Sequence, residues 1–86
     1  MAEQIVGTVT HYFGKAQVAG IKITEGELKV GDTIHVLGHT SDFTQTIESM
    51  QIDRAPVETA KVGDEIGIKV PEHVREHDKV YRVAPD

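Results

Sequence analysis

Cysteine and tryptophan are absent from this chain of 86 residues, and it also has no helical periodicity, no long apolar run and no excess of basic charge. Without cysteine there can be no disulfide scaffold and no thiolate metal site. The apolar runs are far shorter than the roughly 20 residues that cross a bilayer, and the first residues do not form a basic, apolar leader. We therefore expect one cytoplasmic domain, residues 1–86, with its core within about residues 4–83 and no membrane contact.

The charge balance and the aromatic content disfavour a general nucleic-acid binder. Fourteen acidic residues against nine basic ones give a net charge of -5, whereas proteins that neutralise phosphates are usually basic. The aromatic residues are Tyr12, Phe13, Phe43 and Tyr81. A stacking platform for unpaired bases needs some of them on the surface. We expect most of them to fill the core instead.

The pattern that is present is an alternation of apolar residues with period two, which indicates β-strands. Valine, isoleucine and threonine are frequent, as in half-buried pleated strands. Turn residues bound each run, among them Gly14-Lys15, Ala55-Pro56 and the segment 71–78. The pattern predicts six or seven short strands. The apolar residues expected to share a buried face within each strand are Ile5, Val9 and Phe13; Ala19, Ile21 and Ile23; Ile34 and Val36; and Ile66, Ile68 and Val70.

A repeated four-residue motif precedes two of the alternating runs. Lys-Val-Gly-Asp occupies residues 29–32 and 61–64, and Arg-Glu-His-Asp at 75–78 has the same shape without its glycine. Glycine takes positive φ at low cost, and the aspartate after it can accept hydrogen bonds from backbone amides of the turn. We expect a tight corner with the valine folded back beneath it. His77 then either adopts positive φ or belongs to a corner of another shape.

The segment from Asp42 to Asp53 breaks the alternation. Phe43 and Ile47 share a face, whereas Met50 and Ile52 lie at odd offsets from Ile47. One extra residue would restore the parity, so we predict a β-bulge near Glu48-Ser49. A bent long strand among short strands and glycine corners favours a small antiparallel Greek-key β-barrel of six to seven strands.

Few residues suggest catalytic or metal chemistry. Gly14-Lys15 lacks the spacing of a phosphate-binding loop, and Ala16 follows where that loop has serine or threonine. His73 and His77 could meet on a helical turn and bind a metal ion, but a loop with solvated histidines fits the span better. No serine has the surroundings of a nucleophile. We predict no enzyme activity, no nucleotide or cofactor, and no metal site, with the His73–His77 pair left open.

The order of the strands resembles the second domain of translational GTPases such as elongation factor Tu. The resemblance covers about Gln4 to Val83 and rests on GELKVGD, TIESMQID and AKVGDEIGI. It departs from that family in lacking a GTPase domain and in the histidine of the last corner. The run from DFTQTIESMQID to DKVYRV is also similar to the C-terminal barrel of the collagenase-like peptidase family, whose members are linked to RNA modification. Both resemblances imply a non-catalytic β-barrel that positions a partner.

These observations predict a translation-factor-like binding module whose rigid strands present loops to a partner. The resemblance favours transfer RNA, ribosomal RNA or the ribosome as that partner. The alternative is a protein–protein docking module for a separately encoded GTPase or RNA-modifying enzyme, which the acidic balance favours. The expected contacts lie in the loop 38–43 and in turns that carry basic side chains: His39, Thr40, Arg54, Lys61 and Arg75.

Overall fold

The computed structural model describes residues 2–84, and this part of the chain is built from antiparallel strands. The ten strands are β1 (Ala2–Phe13), β2 (Val18–Ile23), β3 (Glu27–Lys29), β4 (Thr33–Leu37), β5 (Asp42–Thr46), β6 (Met50–Ile52), β7 (Ala55–Val57), β8 (Thr59–Lys61), β9 (Glu65–Lys69) and β10 (Lys79–Ala84). The number exceeds the six or seven predicted because several turn arms form strands of three residues. In residues 2–84 there is no helix that is long and apolar enough to cross a membrane.

Eight of the strands form one curved sheet in the order β5-β4-β10-β1-β2-β9-β6-β7, and β3 pairs with β8. The all-β, antiparallel class is therefore confirmed. The sheet is compact but is not closed into a barrel, because among the described residues no strand ladder joins β5 to the far end of the sheet. The chain passes directly from β5, at one end of the sheet, to β6, which lies next to the strand at the other end.

The predicted bulge near Glu48-Ser49 is wrong, because the chain leaves strand geometry altogether at residues 47–49. Ile47 is the first residue of this break and Met50 is the first residue after it. Each is 1% exposed, so both side chains point into the core. The break restores the alternation of buried and exposed residues, as a bulge would have done. It also separates β5, which pairs with β4, from β6, which pairs with β7 and β9. This separation is why the sheet does not close.

Register shifts occur instead in β1, between Ile5 and Gly7 in its pairing with β10 and between Val9 and His11 in its pairing with β2. Each shift moves the following residues to the other face of the strand. Val6 and Val9 are consequently buried, at 2% and 1% exposure. The prediction that Ile5 and Phe13 share the buried face with Val9 is wrong, because Ile5 is partly exposed and Phe13 is exposed.

The other period-two predictions are confirmed, and their residues form most of one core. Every one of them is at most 2% exposed. Leu28, Ala60, Val74 and Val80 complete the burial from the corners and from β10. The confirmed core residues are Ala19, Ile21, Ile23, Ile34, Val36, Ile66, Ile68 and Val70.

The three corners built on the repeated motif share one hydrogen-bonding pattern. In each, the aspartate Oδ2 accepts a hydrogen bond from the backbone N–H three residues earlier, at 2.9 Å, 2.9 Å and 3.0 Å in chain order. In each, the residue before the aspartate has positive φ: 99° at Gly31, 94° at Gly63 and 75° at His77. The first alternative for His77 is therefore confirmed, and the corner keeps its shape without glycine.

The apolar residue beneath each corner is not the one predicted. Val30 and Val62, which precede the two glycines, are 41% and 60% exposed. The buried residues lie immediately before the motif: Leu28, Ala60 and Val74 are each 0% exposed. The strand residue just before the motif therefore packs into the core, and the valine of the motif is exposed.

Candidate functional site

A shallow cleft lies on the outer face of the sheet, over β2, β9 and β6. Gly20 and Gly67 are direct cross-strand partners, and Gly67 pairs with Gln51 on its other side. The residues that flank these glycines along their strands point into the core, so the glycine positions face outward. Neither position carries a side chain, but the Thr10 hydroxyl and a Val18 methyl group lie 3.4 Å and 3.3 Å from where a Cβ on Gly20 and on Gly67 would stand, so backbone forms only part of the floor.

The exposed ring of Phe13 stands at one side of this cleft. Phe13 is 52% exposed and pairs with Val18 at the end of the β1–β2 hairpin. Its ring centroid lies 4.5 Å from that of His11, with the planes tilted by 60°. The expectation that aromatic residues fill the core fails here, because the second register shift in β1 turns Phe13 outward. A hydrophobic ring therefore borders a floor of peptide groups.

Arg54 lies on the opposite rim, at the second position of a two-residue hairpin turn between β6 and β7. Ile52 pairs with Ala55, and the turn residues Asp53 and Arg54 have φ of 51° and 66°. Two consecutive positive φ values define a type I′ turn, whose second position is usually glycine. The predicted turn at Ala55-Pro56 is wrong, since both residues belong to β7. Arg54 thus holds a strained conformation at the rim of the cleft.

The remaining polar groups of the rim supply both donors and acceptors. The cleft is lined on this side by the Gln51 amide and by the carboxylates of Asp53 and Glu65, beside the Arg54 guanidinium. The Thr10 hydroxyl lies 3.2 Å from Glu65 Oε2 and 3.2 Å from the carbonyl oxygen of Gly20, which holds this carboxylate over the floor. Such a rim can hydrogen-bond the edge of a planar polar ligand.

Two of the other predicted contact residues meet at a different place on the surface. Arg75 Nε donates a hydrogen bond to Thr40 Oγ1 at 3.1 Å, which ties the loop 38–41 to the loop 70–78. The buried Ser41 hydroxyl lies 3.4 Å from the His73 carbonyl oxygen and adds to that tie. His39 precedes Thr40 in the same loop and is exposed. Thr40 and Arg75 are thus brought together with His39 beside them.

The histidines left open as metal ligands have other surroundings. The His73 ring stacks on Tyr12, with centroids 4.4 Å apart and planes 32° apart. His77 forms the third corner, and its backbone N–H donates to the Val9 carbonyl oxygen at 2.8 Å. Within residues 2–84 there is no group of three or more histidine, aspartate and glutamate side chains placed to hold a metal ion.

Lys61 occupies a third location. It belongs to the β8 corner, where its backbone N–H donates to Asp64 Oδ2. The described residues show no hydrogen bond or ion pair that connects Lys61 or Arg54 with the Thr40–Arg75 pair. The five predicted contacts therefore divide among the cleft rim, the Thr40–Arg75 loops and the β8 corner. Sequence reasoning missed the Gly20–Gly67 floor because the pairing of β2 with β9 has no local signal.

A histidine clamp lies across the outer face of the sheet near the start of β5. His35 Nδ1 lies 2.8 Å from Glu3 Oε1, and His35 Nε2 lies 2.5 Å from Asp42 Oδ1. Hydrogen bonding to Asp42, and then to Glu3, raises the pKa of His35 above its ordinary value. Both ring nitrogens donate when the imidazole is protonated. The charged ring thereby links β1, β4 and β5.

The comparison with known families now identifies the class of this domain. The family model for elongation factor Tu domain 2 matches residues 16–81, which include the cleft floor and all three corners. The chain therefore belongs to the elongation factor Tu domain 2 family. The resemblance to the second domain of translational GTPases is confirmed.

Particular relatives come from a second group of proteins. The chain is 40% identical over 77 residues to an uncharacterized protease of Methanocaldococcus jannaschii, covering 88% of this chain and 19% of that protein. It is 40% identical over 78 residues to a collagenase of Porphyromonas gingivalis, covering 90% of this chain and 22% of that protein. The chain spans about a fifth of the length of these curated relatives.

Solved structures of a similar domain support the same fold. The C-terminal domain of a U32 peptidase from Geobacillus thermoleovorans superimposes with a TM-score of 0.87 at 19% identity, covering 94% of this chain and 93% of that one. Its selenomethionine variant gives 0.84 at 20% identity, covering 90% and 96%. The resemblance to the C-terminal barrel of the collagenase-like peptidases is thus confirmed at the level of the fold.

Proposed function

We propose that this domain is a non-catalytic RNA-contact module and that the cleft over Gly20 and Gly67 receives an unpaired base. The observation that carries the proposal is Arg54, which occupies a turn position that favours glycine. An arginine kept at φ of 66° costs stability, and such strain is concentrated at functional sites. Its position at the rim supports a role in holding a ligand over the floor.

The shape and chemistry of the cleft fit a planar heterocycle. A base can lie on the peptide groups of the floor while Phe13 offers a stacking surface, and stacking contributes about 1–3 kcal/mol per base. The Gln51 amide, the Arg54 guanidinium and the carboxylates can pair with the edge of that base. With a net charge of -5, binding would depend on stacking and hydrogen bonds more than on phosphate neutralisation.

The relatives support an accessory role. They are named as a protease and a collagenase, and this chain matches about a fifth of each. We infer that the catalytic work of such proteins is done elsewhere and that this domain, acting in the cytoplasm, supplies contacts to transfer or ribosomal RNA. His39, Thr40, Lys61 and Arg75 stay predicted as further contacts. Docking of a separate GTPase or RNA-modifying enzyme is the alternative, which the acidic charge favours.

Filter binding with transfer RNA and ribosomal RNA across a range of salt concentrations tests the proposal. We expect Phe13→Ala to weaken binding by about fivefold to a hundredfold, the loss of one stacked base. Arg54→Gly should weaken binding while raising the stability of the fold, a combination that a purely structural arginine would not give. Lys79→Ala, an exposed charge on β10, is the matched control and should change affinity little. Absence of binding by the unaltered protein at every salt concentration would remove the RNA proposal.

A further inference from the structure

Phe13 faces solvent because β1 contains one extra residue. Val9 and His11, two residues apart, pair with adjacent residues of β2, so Thr10 between them is the residue added. An extra residue reverses the faces of all the residues that follow it in the strand. Without it, Phe13 would face the core and Tyr12 would face solvent. Because burial of an aromatic side chain is favourable, other contacts must hold β1 in the shifted register.

The third corner is bonded to β1 immediately before the extra residue. Val9 N–H donates to the Asp78 carbonyl oxygen at 2.8 Å, and the Val9 carbonyl accepts from His77 N–H at 2.8 Å. Two residues thus oppose one, with positive φ at the first, which is the geometry of a G1 β-bulge. The other two corners make the same pair of backbone bonds to Ile47 and to Ile23. The third corner therefore fixes Val9 by both of its backbone groups.

The loop that leads into this corner holds β1 again just after the extra residue. The His73 ring stacks on Tyr12, with centroids 4.4 Å apart and planes 32° apart. Tyr12 pairs with the buried Ala19 and packs against the core, whereas His73 is exposed. This inward position of Tyr12 requires the shifted register. Any contact that stabilises it therefore also keeps Phe13 outward.

We propose that the loop 71–78 positions Phe13 for ligand binding and that His73 is a positioning residue within this loop. The loop fixes β1 on both sides of Thr10, so the extra residue stays between the two contacts. Phe13 is thereby held on the outer face, where its ring centroid lies 4.5 Å from that of His11. The role in binding rests on the base-binding cleft proposed above, whereas the orientation of Phe13 can be measured without a ligand.

Nuclear magnetic resonance of the isotope-labelled protein tests the positioning role without RNA. The unaltered protein should show nuclear Overhauser contacts between the rings of His11 and Phe13. His73→Ala should weaken these contacts and give new ones between Phe13 and core side chains. His73→Phe keeps a ring on Tyr12 and should restore the original contacts. Glu72→Ala, an exposed neighbour in the same loop, is the matched control and should leave them unchanged.

A second pair of variants tests the contact on the other side of the extra residue. Asp78→Ala and Asp64→Ala each remove the aspartate hydrogen bond of one corner, but only the first corner is bonded to Val9. Asp78→Ala should therefore weaken the contacts between the rings of His11 and Phe13, and Asp64→Ala should not. This pair decides the inference if His73→Ala does not fold.

Filter binding of single-stranded RNA measures the consequence for the cleft. His73→Ala should weaken binding by about fivefold or more, and His73→Phe should restore it. If the unaltered protein binds no RNA, the proposed function fails, while the ring contacts still decide how Phe13 is positioned. Unchanged ring contacts in both His73→Ala and Asp78→Ala would overturn the positioning inference even where RNA binds. Loss of those contacts with unchanged RNA affinity would overturn its role in binding.

Discussion

The two Lys-Val-Gly-Asp corners and the Arg-Glu-His-Asp corner reach the same shape with different sequences. All three have the aspartate Oδ2 bonded to the backbone N–H three residues earlier. The first two have glycine at positive φ, and the third has His77 at 75°. The aspartate and the buried residue just before the motif therefore define the corner. Glycine relaxes it but is not required.

The corner without glycine, at residues 75–78, belongs to the loop that carries Arg75. His77 follows Arg75 by two residues, and His73 of the same loop stacks on Tyr12. Two other turns have non-glycine residues at positive φ: the β1–β2 turn, at Gln17, and the β6–β7 turn, at Arg54, which borders the proposed base-binding cleft. Non-glycine residues at positive φ thus lie beside two of the three places that hold predicted contacts. Positive φ at a non-glycine turn residue can therefore help to separate functional positions from structural ones.

The largest expected effect concerns the buried residue of a corner. Leu28→Ala should destabilise the protein by about 2–5 kcal/mol, because Leu28 is 0% exposed and its loss leaves a cavity. Val30→Ala, two residues later and 41% exposed, should change stability by less than about 0.5 kcal/mol. Urea denaturation of both variants measures the difference. Similar losses for the two would show that the valine does pack beneath the corner.

The next largest expected effect distinguishes the aspartates of two corners, Asp78 and Asp64. Asp78 is 5% exposed and its side chain packs so closely on Gly38 that a Cβ there would collide with it. Asp78→Ala should cost about 1–3 kcal/mol, since the Arg75 N–H loses its partner in a part-buried site. Asp64→Ala removes the same bond where water can replace it and should cost less. Thermal denaturation compares the two, and a larger loss at Asp64 would contradict this ranking.

Replacing the residue at the positive-φ position should destabilise a corner that has glycine there and stabilise the corner that has histidine. Gly63→Ala should cost about 1–2 kcal/mol from backbone strain alone, since nothing lies within 4 Å of the added Cβ. His77→Gly should stabilise by about 0.5–1 kcal/mol, the relief of strain less the entropy of glycine. Denaturant midpoints provide the test. A destabilised His77→Gly would mean that the imidazole makes stabilising contacts at its corner.

The smallest expected effect is the pH dependence of folding stability that the histidine clamp causes. This clamp holds β5, which follows the loop next to the third corner. Because the folded-state pKa of His35 is raised, its stabilisation is complete below the unfolded value of 6.5 and is lost as pH rises through the folded pKa. The contribution should be less than about 1 kcal/mol, as for other exposed ion pairs. Melting temperatures just below and well above pH 6.5 should differ less for His35→Gln than for the unaltered protein. An equal pH response in both would exclude the clamp as its source.

Local patterns predicted much of this fold, and long-range pairing decided the rest. The alternation in β2, β4 and β9 and the three corners depend on neighbouring residues, so they could be inferred directly. The outward turn of Phe13 could not, because it follows from register shifts between β1 and its partners. The sequence predicts Arg54 as a contact only because it is a basic residue near a turn. Its place opposite the Gly20–Gly67 floor depends on strand pairing that no local pattern specifies.

The most direct test of the account is whether an unpaired base enters the cleft. A titration of isotope-labelled protein with short single-stranded RNA, followed by nuclear magnetic resonance, reports each backbone amide separately. The account predicts that the signals of Gly20, Gly67 and Arg54 shift together and saturate at one RNA concentration. Signals at these three positions that stay unchanged, while residues elsewhere respond or none do, would contradict it.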